Sequence, residues 1–181
     1  MAIPDVLKGT VLGRFRRLDR GARAVIMRAS VIGREFDLHV VVATATHSES
    51  HVRGALEHAC RLQLVVESGG DRYTFRHALT RDIIYAEFLD ERTRPLHRRI
   101  ARVLERSSHS RDVALEELAY HSWAGGDARR GPYYNELAGD YAAVVHARDD
   151  ARRYYTRALS LIDVDSAGYG RLTQKLRALG G

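Results

Sequence analysis

The stretch Leu64-Val-Val-Glu-Ser-Gly-Gly-Asp-Arg-Tyr-Thr-Phe-Arg76 decides the fold class of this chain. Two short runs rich in β-branched and aromatic residues flank the tetrapeptide Ser68-Gly-Gly-Asp71, and this combination favours a turn between two strands. The stretch therefore predicts a β-hairpin with strands at residues 64–67 and 72–76. Elsewhere the sequence carries mainly helical spacing, so we expect a mainly α-helical protein with one short β-hairpin.

Helices are predicted on the N-terminal side of the hairpin. Apolar residues recur at helical spacing in Pro4–Leu18, in about Gly21–Ser30 and in Glu49–Leu62. The run Leu38–Ala45 fits either a strand or a buried helix, and we favour a helix because nothing nearby supplies a pairing strand. Three helices followed by a β-hairpin is the element order of a winged-helix domain, in which the hairpin forms the wing.

Two more helices are predicted beyond the hairpin, one around Ile83 and one over Glu91–Ser107. The next segment, Ser107-Ser-His-Ser-Arg-Asp112, is polar and has no periodic pattern, which predicts a domain boundary. We therefore expect a winged-helix-like domain at residues 1–108 and a second domain at residues 109–181.

The second predicted domain consists of helices rich in alanine and tyrosine. One begins near Leu115 and ends at Gly125-Gly-Asp127, and two more cover Tyr133–His146 and Asp149–Ile162. Small residues on both faces allow antiparallel helices to pack closely, as in the tetratricopeptide repeat of about 34 residues. If Pro132 opens such a unit, its small and small-aromatic-small positions fall on Gly139, Ala151, Tyr155 and Ala158. This domain is predicted to contain tetratricopeptide-like α–α hairpins.

Composition limits where the protein works and what it binds. The 181 residues include 29 Lys and Arg against 23 Asp and Glu, a net charge of +6, which permits a polyanionic partner without requiring one. The single cysteine, Cys60, cannot form a disulfide within one copy or a cysteine-based metal cluster. No run approaches the ~20 apolar residues of a membrane span, and the first residues have no secretory pattern. We expect a cytoplasmic protein without a membrane partner.

The sequence has no motif for nucleotide binding or catalysis. Neither Lys8 nor Lys175 follows a glycine, so the chain has no P-loop, and the glycine-rich stretch Gly125–Gly131 joins two predicted helices as a connector. His47 and His51 have the spacing of metal ligands, but no Glu or third His stands at a matching distance, which favours solvated histidines. We therefore expect no enzyme activity, no catalytic residue, no metal site and no cofactor held by this chain alone.

Arginines form a stripe on the helix predicted over Glu91–Ser107. Arg94, Arg98 and Arg102 repeat every four residues and share one helical face, where they can contact the phosphates of a nucleic acid. The alternative is a solvated face opposite the apolar residues of that helix. The helix Glu49–Leu62, which would enter the DNA major groove in a winged-helix regulator, carries two acidic residues that repel phosphate. Only weak, non-specific DNA binding is expected.

Four blocks of sequence resemble one known protein family. They are Ala29-Ser-Val-Ile-Gly-Arg-Glu-Phe36, Tyr73-Thr-Phe-Arg-His-Ala-Leu-Thr-Arg-Asp-Ile-Ile-Tyr85, Arg94-Pro-Leu-His-Arg-Arg-Ile-Ala101 and Glu117-Leu-Ala-Tyr-His-Ser-Trp-Ala-Gly-Gly-Asp127. In this order, over most of residues 1–165, they resemble the segment after the nucleotide-binding domain of STAND-class, AAA-like ATPases. These ATPases include large LuxR-type transcriptional regulators and predicted ATPases joined to adenylate cyclase domains.

The resemblance implies a winged-helix module joined to tetratricopeptide-like repeats, which restrain or release an ATPase and receive signals through protein contacts. In related switch ATPases a histidine of the winged-helix domain contacts the diphosphate of bound ADP, and His77 matches it here. The alternative for His77 is a hydrogen bond to the backbone where the hairpin meets the next helix. The family's Walker motifs, sensor arginine and effector domain are absent, so ATP or ADP would lie on a missing or partner P-loop ATPase domain.

These features lead us to expect a regulatory, protein-interaction fragment of a signalling ATPase or LuxR-type regulator that is non-catalytic by itself. Its expected partners are the P-loop ATPase domain, missing or in another chain, and a protein or peptide ligand on the helical repeats. DNA is expected to bind only weakly or indirectly. The alternative is a stand-alone winged-helix DNA-binding transcriptional regulator that uses the arginine stripe.

Overall fold

A computed structural model describes residues 5–87, 93–107 and 115–180 of the chain. The chain forms two compact units, Met1–Leu96 and His97–Gly181, which divide inside the helix Thr93–Ser107. The predicted domain boundary after Ser107 lies outside the described residues and stays a prediction. The compact units divide earlier because side chains of this helix, from His97 onward, bond to later helices of the second unit.

The first unit is helical with a small sheet. As predicted, the run after residue 37 is a helix, in which Val40 and Val41 are buried. Two helices begin at side-chain caps: Asp19 Oδ1 accepts a hydrogen bond from Ala22 N at 2.8 Å, and Ser48 Oγ accepts one from His51 N at 3.3 Å. The elements of the unit are α1 (Asp5–Arg16), α2 (Arg20–Ile32), β1 (Glu35–Asp37), α3 (Leu38–Thr44), α4 (Glu49–Arg61), β2 (Val65–Gly69), β3 (Arg72–Phe75) and α5 (Ala78–Ala86).

The sheet contains the predicted hairpin and one further strand. Strands β2 and β3 pair antiparallel around a turn in which Gly69, Gly70 and Asp71 have φ angles of 91°, 62° and 62°, a region that favours glycine and tolerates aspartate. The expectation of a single two-stranded hairpin is wrong, because β1 pairs with β3 and gives the antiparallel order β1-β3-β2. A three-residue strand is too short to show a sequence period, and its pairing with β3 is non-local.

The core of the first unit lies between its helices and one face of the sheet. Helices α2 and α4 bury the faces that the apolar spacing predicts, and Phe75 of β3 is fully buried. Phe36 of β1 stacks on Tyr73 of β3 with ring centroids 6.0 Å apart, so the short strand also contributes to this core.

The second unit consists of helices over its described residues. The two helices predicted from Tyr133 and from Asp149 are confirmed, and they are joined by a short turn in which His146 has a φ of 61°. The last helix, which Ser166 caps through a bond from Tyr169 N, is absent from the sequence prediction. The helices are α6 (Thr93–Ser107), α7 (Leu115–Ala124), α8 (Arg130–Val144), α9 (Arg148–Leu159) and α10 (Ala167–Ala178).

Helices α8 and α9 pack closely because a glycine faces an aromatic ring. A methyl group added at Gly139 would collide with the ring of Tyr155, whose hydroxyl donates a hydrogen bond to Asp140 Oδ1 at 2.8 Å. The surrounding core is made of small residues, tyrosines and one leucine, namely Ala119, Ala138, Ala142, Ala151, Tyr154, Tyr155, Ala158 and Leu172. Over the described residues, no helix is both long and apolar enough to cross a membrane.

Candidate functional site

Large apolar side chains are exposed along one face of α8. Tyr133, Leu137, Tyr141 and Val144 are 62%, 44%, 68% and 76% exposed. Their spacing of four, four and three residues places them on one side of the helix, while the other side is buried in the second unit's core. We call these four residues the α8 stripe. Contiguous exposed apolar surface of this kind marks interaction sites more often than scattered apolar residues do.

A groove of about 370 Å³ borders the C-terminal half of the α8 stripe. Its walls are largely apolar and include Leu115 of α7, Tyr141 of α8 and Tyr154 of α9. Two carboxylates, Glu116 and Asp150, lie at its rim. Asp150 pairs with Arg153 at 2.8 Å, whereas Glu116 forms no ion pair with the described residues. This end of the stripe is therefore apolar with an acidic edge.

A smaller cavity of about 270 Å³ borders the N-terminal end of the stripe, beside Tyr133. Glu105 there accepts hydrogen bonds from Arg130 Nε and from the Tyr134 hydroxyl, both at 2.9 Å. The Arg130 guanidinium lowers the pKa of Glu105, while burial and the bond to Glu105 raise the pKa of Tyr134 to about 12. Arg129 is exposed beside this pair and forms no ion pair with the described residues, so this end has a basic edge.

A second edge of α8 is covered by ion pairs to α10. Arg171 donates two hydrogen bonds to Glu136, at 2.8 and 2.7 Å, and Lys175 bonds to both Glu136 and Asp140. These cations, Arg171 first, lower the pKa of Glu136 to about 2 against the opposing effect of burial. The charged face of α8 is thus occupied within the unit, whereas the α8 stripe is open to solvent.

His77, the candidate ADP-phosphate contact, lies at the N-cap of α5 directly after β3. The residue is exposed, its backbone is extended, and its ring makes no hydrogen bond with the described residues. The backbone carbonyl accepts a bond from Thr80 N at 2.9 Å, but the side chain does not cap the helix. The imidazole is therefore available to an external group.

The structure separates the members of the predicted arginine stripe by what they contact. Arg94, Arg98 and Arg102 are all exposed on α6. Arg98 donates a hydrogen bond from Nε to the Gly125 carbonyl at 2.7 Å, so its guanidinium also holds the loop between α7 and α8. Arg94 and Arg102 remain the stronger candidates for a phosphate contact.

The helix that would enter the major groove in a DNA-binding winged helix, α4, has its central arginine paired with carboxylates. Arg53 bonds to Glu49 at 2.9 Å and to Asp71, at the tip of the hairpin, at 2.8 Å. These bonds compete with phosphate for the same guanidinium, and Glu57 adds another negative charge to the exposed surface of the helix. The geometry therefore does not favour DNA contact through α4.

The structure places the two histidines with metal-ligand spacing next to each other and the glycine-rich stretch between two helices. The rings of His47 and His51 stack with centroids 4.5 Å apart, and no group of three or more His, Cys, Asp or Glu among the described residues is placed to hold a metal. The glycine-rich stretch from Gly125 joins α7 to α8, as predicted for a connector.

Two features of the second unit are missing from the sequence prediction. The α8 stripe had a visible signal in the spacing of Tyr133, Leu137 and Tyr141, but the helix is apolar on its buried face as well, so the pattern does not say which face is exposed. The buried pair His97 and His121, whose Nδ1 atoms are 2.8 Å apart, joins positions that no local spacing connects.

Comparisons with protein-family models, with curated proteins and with solved structures find no match. The family resemblance of the sequence therefore stays a prediction.

Proposed function

We propose that this chain is a regulatory, protein-interaction fragment of a STAND-class, AAA-like signalling ATPase or LuxR-type transcriptional regulator, and that it is not catalytic by itself. The observation that carries the proposal is the α8 stripe, an exposed apolar face on a helix whose other surfaces are occupied. The link to an ATPase rests on the four sequence blocks and on the accessibility of His77.

The first unit supports the winged-helix part of the proposal through its topology. Two helices, a short strand, two helices and a hairpin follow one another, and the sheet order β1-β3-β2 places the hairpin strand β3 in the middle. This order agrees with the proposed winged helix, in which the β2–β3 hairpin would be the wing. Because Arg53 is bound by carboxylates, we assign the domain to protein contacts and expect DNA to bind only weakly.

The second unit supports a tetratricopeptide-like repeat that opens at Pro132. Gly139 of α8 admits the ring of Tyr155 of α9, as the small and aromatic positions of that repeat require. A unit of about 34 residues from Pro132 would end at Asp165, and the next unit would begin at Ser166. Ser166 is the N-cap of α10, which would be the first helix of that next unit. Such repeats bind proteins, which agrees with the exposed stripe.

Nucleotide enters this proposal only through a partner. We assign ATP or ADP to a P-loop ATPase domain, missing from this chain or present in another, because the chain has no P-loop lysine. His77 would donate a hydrogen bond from its ring to the diphosphate of ADP in that complex. The protein would act in the cytoplasm, where such a switch meets ATP.

Purification of the tagged chain from its native cells in the presence of ADP tests the proposal. We expect a P-loop ATPase, identified by mass spectrometry, to be retained by the wild type and by Arg76→Ala, a neighbouring exposed control. His77→Ala should retain less of it when ADP is present and equal amounts when ADP is absent. Recovery of no P-loop ATPase with any variant would refute the proposed link.

A further inference from the structure

We propose that the α8 stripe is the interface of a two-fold symmetric dimer, so that its occupant is a second copy of this chain. The inference deepens the proposed function and rests on the stripe being a protein-binding surface. Its support is the symmetry of the stripe and the opposite charges at its two ends.

The stripe is self-complementary when two copies of α8 run antiparallel. Leu137 stands near its middle, and Tyr133 and Tyr141 lie four residues to either side. A two-fold axis through Leu137 therefore places Tyr133 of each copy opposite Tyr141 of the other copy. In a two-fold interface every contact must occur in such a reciprocal pair. The groove beside Tyr141 offers space of about 370 Å³ for the approaching tyrosine ring.

The charges at the two ends favour the antiparallel arrangement. At the Tyr133 end, Arg130 is already paired with Glu105, which leaves Arg129 without an ion pair among the described residues. At the Tyr141 end, Asp150 is paired with Arg153, and Glu116 has no ion pair among the described residues. An antiparallel pair brings Arg129 of one copy towards Glu116 of the other, whereas a parallel pair brings like charges together.

The size of the surface predicts a weak dimer. Helix α8 has 15 residues and is about 22 Å long, so one helix pair covers less than the ~800 Å² per partner of a standard stable interface. We therefore expect a dissociation constant on the order of micromolar to tens of micromolar.

Sedimentation velocity of the full chain, from about 1 to about 200 μM, measures this association directly. The wild type should pass from monomer to dimer over that range. Leu137→Glu places two carboxylates at the two-fold axis and should weaken the dimer at least about tenfold. Val164→Glu is the matched control, because Val164 is 69% exposed and lies outside the stripe, and it should behave like the wild type.

A charge exchange tests the antiparallel arrangement separately. Arg129→Glu and Glu116→Arg should each weaken the dimer by about two- to fivefold, as expected for exposed ion pairs, and the double variant should recover wild-type affinity. The inference is overturned if the wild type stays a monomer at every concentration or if Leu137→Glu leaves the dimer affinity unchanged. It is also overturned if the double charge variant loses as much affinity as the two single variants together. If the chain is a monomer but retains a P-loop ATPase, the dimer is refuted and the proposed ATPase link stands. If the chain dimerises but retains no P-loop ATPase, only the ATPase link is refuted.

Discussion

Replacement of Gly139 by alanine tests the close packing of α8 against α9. Alanine in a helix interior normally stabilises a protein by about 0.5–1 kcal/mol relative to glycine. Here the added Cβ would collide with the Tyr155 ring, so the two helices must move apart. Overpacking of this kind costs about 1–3 kcal/mol, and loss of the Tyr155–Asp140 hydrogen bond costs about 1 kcal/mol more. We expect Gly139→Ala to destabilise the second unit by about 2–3 kcal/mol.

Urea unfolding followed by tryptophan fluorescence is the suitable assay, because Trp123, the chain's single tryptophan, lies in α7 of the second unit. Gly170→Ala in α10 is the matched control, since a Cβ at Gly170 meets no atom within 4 Å, and it should stabilise by up to about 1 kcal/mol. Adding Tyr155→Leu to Gly139→Ala should remove part of the collision, so the double variant should lose less than the sum of the single losses. If Gly139→Ala stabilises as much as Gly170→Ala does, the helices do not approach each other at Gly139 and the repeat-like packing is wrong.

Further predictions address the ion pairs and the candidate ligands. The folded-state pKa of Glu136, about 2, lies below its ordinary 4.5, so this carboxylate stabilises the fold above pH 4.5 and loses that contribution as the pH falls towards 2. After allowance for the 57% exposure of Arg171, Glu136→Gln should cost about 1–2 kcal/mol at pH 7 and little at pH 2, and equal losses at both pH values would contradict this. His77→Ala should leave the melting temperature unchanged, because the ring has no hydrogen bond to lose with the described residues; a drop of several degrees in a thermal scan would show a structural role. Isothermal titration should detect no ATP binding at micromolar nucleotide, and saturable heat would refute the assignment of nucleotide to a partner. Fluorescence anisotropy should find weak DNA binding that falls steeply with salt and falls further in Arg94→Ala/Arg102→Ala, whereas nanomolar, sequence-specific binding would favour the DNA-binding regulator.

Local periodicity was sufficient for the helices that bury one clear face. Helices α2 and α4 each have a single apolar face and a capping side chain, so their residues alone predict them. The hairpin was equally predictable, because Gly69 and Gly70 supply the left-handed backbone that its turn needs.

Non-local partners explain what the sequence did not predict. Strand β1 forms because it pairs with β3, which is distant in sequence. Helix α10 buries only Leu172, so its own apolar spacing gives little signal. Its ion pairs to α8 join residues far apart in the chain, such as Arg171 and Glu136, which are 35 residues apart. The α8 stripe was hidden for a related reason. Both faces of α8 are apolar, and only the packing of α7 and α9 decides that Ala138 is buried while Leu137 is exposed.

Photo-cross-linking in native cells tests directly whether the α8 stripe is a protein-binding surface. A photoreactive amino acid is placed at position 141 in one strain and, as the control, at position 164 in another, because both residues are about equally exposed, at 68% and 69%. If the stripe binds protein, position 141 should give a covalent adduct with a defined protein, this chain itself or another, and position 164 should give none. No adduct at position 141, or the same adducts from both positions, would contradict it.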